Sequence, residues 1–215
     1  MDERDDGAAG LTDAFLAARE AELAGRVSPR RLEHIRGVAA TARRLARTYG
    51  VDERKAYAAG LLHDWDKGLD DAGICQRVRD LGLEEAIGPW VVENMPQVLH
   101  APTAAADLGR RFPEIPADVL RAIERHTVAA EDMGPLDMVL YVADALEPGR
   151  QFGRIDELRA AEGAVDLEEL FFLTYEYWVY LLLERRRMMH PDTIRIWNTY
   201  VARRAPKKGQ DRERS

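Results

Sequence analysis

The chain reads as all-α, and three observations predict it. Apolar residues recur at spacings of three and four along most of its 215 residues. Residues that start and stop helices bracket those stretches, and no alternation of period two outlasts a few positions. No repeat and no low-complexity linker divides the chain. One domain over 11–204 is therefore the economical reading, between a disordered stretch 1–10 and a polar tail 205–215.

The elements follow in order. Residues 11–23 form a short amphipathic helix. Ser28 offers an N-cap with Pro29 at the first helical position, and Leu32, Ile35, Val38, Ala42 and Leu45 carry the apolar stripe up to Gly50. His34 borders that stripe. Asp52 caps the next helix, whose small residues Ala56, Ala59 and Gly60 allow close approach, with Gly68 as its stop. Residues 70–94 give one or two helices, broken near Gly82 and Gly88-Pro89. A further helix runs from about Val98 to Arg111. Pro113 and Pro116 mark a loop, and a helix through Val119, Leu120 and Ile123 ends around His126-Thr127. Another runs from Gly134-Pro135 to Pro148-Gly149 with Asp144 on its buried side. A loop over 151–164 leads to a long aromatic helix over 166–189, and Pro191 opens the last one.

Composition bounds the function. Hydrophobic residues make up 46%, enough for a sizeable core. The net charge is −7 with no basic stripe, which argues against extended nucleic-acid binding. A small anionic substrate stays open, because a bound cation inverts the local field. The single cysteine, Cys75, cannot form an intrachain disulfide; it reads as a small apolar residue in a reducing compartment. The charged start of the chain has no apolar run behind it, and the most hydrophobic stretch, 170–183, is short for a bilayer and contains Glu176. These features predict a soluble, cytoplasmic protein with no membrane span. The aromatic residues 171–180 read as domain core, with a homodimer interface as the alternative.

The chemistry gathers at Leu61-Leu62-His63-Asp64-Trp65-Asp66-Lys67. His63 and Asp64 stand side by side at the end of an apolar helical run. His34, His100, His126 and Asp144 sit near the ends or inner faces of other helices, and only His190 among the five histidines stands apart. Each alone has an ordinary reading: a core histidine bonded to a carbonyl, or an Asp144–Arg150 ion pair. Dispersed over several helices, they form the kind of ligand set from which helical bundles build metal sites. Imidazole and carboxylate suit a transition-metal ion. Lys67, one turn past Asp64, is either a charge-stabilising cation or a solvated helix-end lysine. Asp66 orients Lys67 or a water, or is surface charge. Trp65 and Tyr141 stack on a base or belong to the core.

The order His34, His63-Asp64, Asp144 resembles the HD-domain metal-dependent phosphohydrolases. The resemblance is closer to the YqeK-like branch, the symmetrical diadenosine tetraphosphate hydrolases. It is carried by His34-Ile35-Arg36-Gly37-Val38, Ala59 to Asp64, Leu99-His100, Ala122-Ile123 to His126-Thr127, and Ala143-Asp144 to Glu147-Pro148-Gly149-Arg150, over roughly 28–152, with Pro191 to Asn198 similar to the last helix of that branch. It implies a single HD-type helical domain. It implies that His34, His63, Asp64 and Asp144 hold one metal, and that His100 and His126 complete a second site with Asp64 as bridge. Iron is the expected ion, with manganese or cobalt as alternatives. Two metals about 3.5–4 Å apart can share a hydroxide that attacks phosphorus in line. The implied substrate is a small dinucleotide, diadenosine tetraphosphate, cut to two ADP. Lys67, Arg36, Thr127 and Arg150 are the candidate phosphate contacts, and Asp64 and Lys67 the candidate catalytic pair. Another nucleotide phosphohydrolase, a monophosphatase or phosphodiesterase, is the alternative activity; a non-catalytic metal- and nucleotide-binding module is the alternative class. Two departures stand beside ligand positions: Ala101 where the branch usually has glycine, and Val128-Ala129 where it usually has Thr-Gly. Both bear on loop shape and substrate fit.

Overall fold

A computed structural model describes residues 8–204. The expectations for 1–7 and 205–215 lie outside the described residues. Residues 8–10, expected to be disordered, form a turn in which Leu11 N donates to Ala8 O at 3.0 Å. Among the described residues there are twelve α-helices and no strand, and the all-α expectation holds. No helix is long and apolar enough to cross a membrane.

Helix α1 (Asp13–Ala24) is capped by Thr12. Helix α2 (Pro29–Tyr49) begins on the Ser28 cap and ends at Gly50 with φ 71°, a left-handed residue, as its sequence predicts. Helix α3 (Glu53–Leu62) lies directly on α2. The contact is close because small residues face each other: a Cβ on Gly60 would come within 2.7 Å of the Ala39 Cα. Helices α4 (Asp71–Leu81), α5 (Glu84–Ile87) and α6 (Pro89–Asn94), followed by a 3-10 turn over 96–98, build a satellite core around Ile74, Val78, Val91, Val92, Met95 and Leu99. Helices α7 (His100–Arg111), α8 (Ala117–Arg125) and α9 (Pro135–Leu146) return to the main core, where α9 packs on α2, α8 and α3. Helices α10 (Ile155–Ala161), α11 (Leu167–Glu184) and α12 (Thr193–Arg204) close the far side.

Four expectations about the helices need correction. Helix α3 stops at Leu62, not at Gly68: the His63 ring bonds to the Gly60 carbonyl (2.7 Å), the acceptor that the Asp64 amide would use in a continuing helix. Tight turns follow, with Trp65 N, Lys67 N and Leu69 N each donating three residues back. Gly68 serves a close approach, since a Cβ there would meet Arg26 O at 2.0 Å. Residues 70–94 form three helices. The supposed loop 151–164 holds α10, which lacks a side-chain cap and starts after a left-handed Arg154, but buries Ile155 and Leu158. Helix α11 ends at Glu184, where Arg187 N reaches back to Leu182 O (2.8 Å) around a left-handed Arg186.

Trp65 is fully buried and donates to Asp107 Oδ2 (2.9 Å), so it belongs to the core. Asp66 is neither surface charge nor a partner of Lys67: it is buried between Arg26 (2.8 Å) and Arg77 (3.3 Å). Leu170, Phe171, Tyr175 and Tyr177 place most of α11 in the core.

Candidate metal centre and its cavity

Five helix ends or inner faces bring six residues together. His34 comes from α2, His63-Asp64 from the end of α3, His100 from the start of α7, His126 from the end of α8 and Asp144 from α9. They fall into three overlapping groups whose ligand atoms lie within 4.8 Å of one another: His34, His63 and Asp64; His63, His126 and Asp144; Asp64, His100 and His126.

The backbone aims the rings. His63 Nδ1 donates to Gly60 O and His126 Nδ1 to Ile123 O, both at 2.7 Å and both three residues back. Each ring caps the last turn of its helix with Nδ1 and keeps the Nε2 lone pair for the centre. His100 Nδ1 lies 3.1 Å from Gln97 O, again three residues back, and 3.2 Å from Lys67 Nζ. His34 Nδ1 is 3.0 Å from Glu147 Oε1. Inside the centre, His34 Nε2 is 3.0 Å from Asp144 Oδ1, His63 Nε2 is 3.4 Å from Asp64 Oδ2, and His100 Nε2 is 3.3 Å from Asp64 Oδ1 and 3.2 Å from His126 Nε2.

A metal ion fits this donor set. The Nε2 atoms of His34 and His63 are buried beside carboxylate oxygens yet make no well-aligned hydrogen bond, the arrangement of donors gathered around an ion rather than bonded to one another. At Asp64, His100, His126 and Asp144 the charge states agree with the requirement that ligands be deprotonated, and at His63 they run the other way. Burial pushes the His126 ring down to about 3 and also lowers His100. Burial works to raise Asp64, but His63 and His100 hold it well below the usual carboxylate range. Burial opposes ionisation of Asp144 too, and His34 and Arg150 outweigh it. His63 is raised, burial being more than offset by Asp64.

Four of the cluster residues, Asp64, His100, His126 and Asp144, line a cavity of about 360 Å³. Lys67, Thr127 and Arg150 line it, as do Arg31, Tyr141, Tyr175, Trp178, Met188 and His190. Arg150 holds Asp144 Oδ1 at 2.6 Å. The Thr127 hydroxyl is buried without a partner. Lys67 Nζ donates to Gln97 O (3.3 Å), and burial lowers its pKa. Arg36 stands elsewhere: it is exposed and paired with Glu20 at 2.6 Å. The departure at Ala129 falls on a residue with φ 70°, a left-handed position that favours glycine and costs an alanine about 1 kcal/mol.

Sequence reasoning missed three features. Arg31 donates to Asp64 Oδ2 at 2.9 Å; it stands one turn before His34, so helical spacing offered that signal. Glu147 is buried, accepts from Gly149 N (2.6 Å) and orients His34; it lies one turn after Asp144. The aromatic end of the cavity, from Tyr175 to His190, carried no local signal.

Comparison with known proteins gives a consistent picture. The HD domain family model matches residues 31–149. The symmetrical bis(5'-nucleosyl)-tetraphosphatase of Halalkalibacterium halodurans is 30% identical over 168 residues, which is 78% of this chain and 87% of that protein. The protein of the same description from Bacillus subtilis is 30% identical over 169 residues, 79% of this chain and 88% of that one. The crystal structure of a predicted HD superfamily hydrolase involved in NAD metabolism from Clostridium acetobutylicum matches with a TM-score of 0.80 at 31% identity. The match covers 87% of this chain and 97% of that one.

Proposed function

The chain belongs to the HD domain family, and from that premise we propose that it hydrolyses dinucleoside polyphosphates, cutting diadenosine tetraphosphate symmetrically into two ADP. Relatives that cover most of this chain carry that activity in their description. The observation that carries the reading is the cavity itself, which joins four of the six cluster side chains, Asp64, His100, His126 and Asp144, to an aromatic wall of Tyr141, Tyr175 and Trp178. A nucleotide has that polarity.

In this reading residues 11–204 act as one HD-type unit. His34, His63, Asp64 and Asp144 would hold one ion, and His100 and His126, with Asp64 shared, a second; iron is our expectation, with manganese or cobalt as substitutes. Bound there, the ions would activate water and polarise the phosphoryl group being cut. The chain's own residues do the rest. Asp64 offers two oxygens to two sites. The Lys67 ammonium, fixed by Gln97 O, stabilises charge growing on the departing phosphate. Arg150 and Arg31, held by Asp144 and Asp64, turn their remaining N–H groups toward phosphate oxygens. The unpartnered Thr127 hydroxyl supplies another donor. Arg36 drops out of the set because its guanidinium is committed to Glu20.

The test is chromatography of the products from diadenosine tetraphosphate, run with metal analysis of anaerobically purified protein. ADP alone supports the reading. ATP plus AMP, or faster turnover of mononucleotides, removes it. Two settings go with it: a cytoplasmic one, in keeping with the single cysteine, and a homodimer through the exposed Tyr180 and Leu183 of α11. Sedimentation decides the second.

A further inference from the structure

Two cavities open onto the cluster. The second, of about 690 Å³, lies on the other side of Arg31 and Arg150, which line both. Cluster residues divide between them: Asp64, Asp144, His100 and His126 face the first, His34 the second. Their other walls differ in kind. The first has Tyr141, Tyr175 and Trp178, backed by Val179 and Leu182. The second has no Phe, Tyr or Trp, and its walls include Ser28, Arg30, Glu33, Glu147, Pro148 and Gly149. Arg30 and Glu33 are exposed there, and neither makes an ion pair or hydrogen bond among the described residues.

A substrate cut at the centre of its phosphate chain must extend from the cluster in two directions. Resting on the reading above, we propose that its two halves occupy chemically unequal subsites. One nucleoside stacks in the aromatic cavity. The ribose and innermost phosphate of the other lie along Glu33 and Arg30 in the polar cavity, with that base left in solvent. A guanidinium matches phosphate oxygens. A carboxylate accepts from ribose hydroxyls. A purine, with the larger ring, gains more from the aromatic walls than a pyrimidine does. The enzyme thus reads one base and ignores the other, although both products are nucleoside diphosphates.

A mixed substrate tests this. Hydrolysis of adenosine–uridine tetraphosphate consumes one water. Its oxygen stays on the attacked central phosphorus, the bridging oxygen leaves with the other diphosphate, and the released proton goes to buffer. In ¹⁸O-water a fixed orientation labels one product. We expect one of ADP and UDP to carry about ten-fold more label than the other, the ratio that about 1.4 kcal/mol of extra stacking gives. Equal label in both overturns the proposal and leaves the proposed function intact; no hydrolysis of any dinucleotide overturns both. Arg30→Gln gives an independent check at a side chain with no partner to lose. It should raise KM for diadenosine tetraphosphate several-fold and keep kcat within about two-fold, which is the pattern of lost uniform binding. Inhibition by ADP, held in the aromatic cavity, should not change. An unchanged KM, or ADP inhibition weakened by the same factor, overturns the assignment of the second cavity.

Discussion

The two ends of the aromatic cavity are built by different means. At the cluster end each side chain is fixed by a specific polar bond, three of them local: His63 and His126 by a carbonyl three residues back and Asp144 by Arg150, with Asp64 held by Arg31 and His34 by Glu147 from other elements. At the other end Trp178, Met188 and His190 come from α11 and the segment after it, and they meet the cluster only through long-range packing. Changes at the first end should therefore alter metal content and the chemical step. Changes at the second should alter substrate binding alone.

Asp64→Ala tests the first end most severely. If Asp64 serves both proposed sites, its removal should cost both ions and lower turnover by about four orders of magnitude or more. Metal stoichiometry and kcat measure this, with circular dichroism verifying the helices. Retention of two ions would mean that Asp64 bridges nothing. His100→Ala or His126→Ala comes next. Each should lose one ion, keep the other and lower turnover by about a hundred-fold or more. Two ions per chain with near-normal activity would make these histidines structural and leave only a four-ligand core. Glu147→Gln keeps the shape beside His34 and removes the charge, and metal affinity should weaken by about 10–100-fold. Unaltered affinity in a competition titration would show that Gly149 N, not His34, is the important partner of Glu147. The smallest effect belongs to the far end. Trp178→Leu should raise KM by an amount equivalent to about 1–3 kcal/mol of stacking, with metal content unchanged. A metal content that fell in step would erase the distinction between the two ends.

The same contrast explains what was legible in the sequence. Ser28-Pro29 and Gly50 bound α2 because capping is local chemistry. The six cluster residues could be picked out because each sits near a helix end or on an inner face, where a polar side chain departs from its surroundings. The early end of α3 was hidden, since it depends on which carbonyl the His63 ring takes. Helix α10 was hidden because it has no cap and owes its place to the burial of Ile155 and Leu158. Arg31 was passed over although helical spacing put it beside His34, while the aromatic wall had no local pattern to find. Local bonds leave a trace in sequence; long-range packing leaves little.

The anchoring of the rings has a consequence for supply. Backbone carbonyls hold His63 and His126, and Arg31 and Arg150 already neutralise Asp64 and Asp144. The chain can therefore shape its centre while it folds and take up ions afterwards. Uptake then becomes a competition among whatever cations surround the finished protein, ranked by abundance as much as by fit. Protein from cultures grown on different trace elements should therefore differ in metal content while the helices stay the same, which metal analysis beside circular dichroism checks.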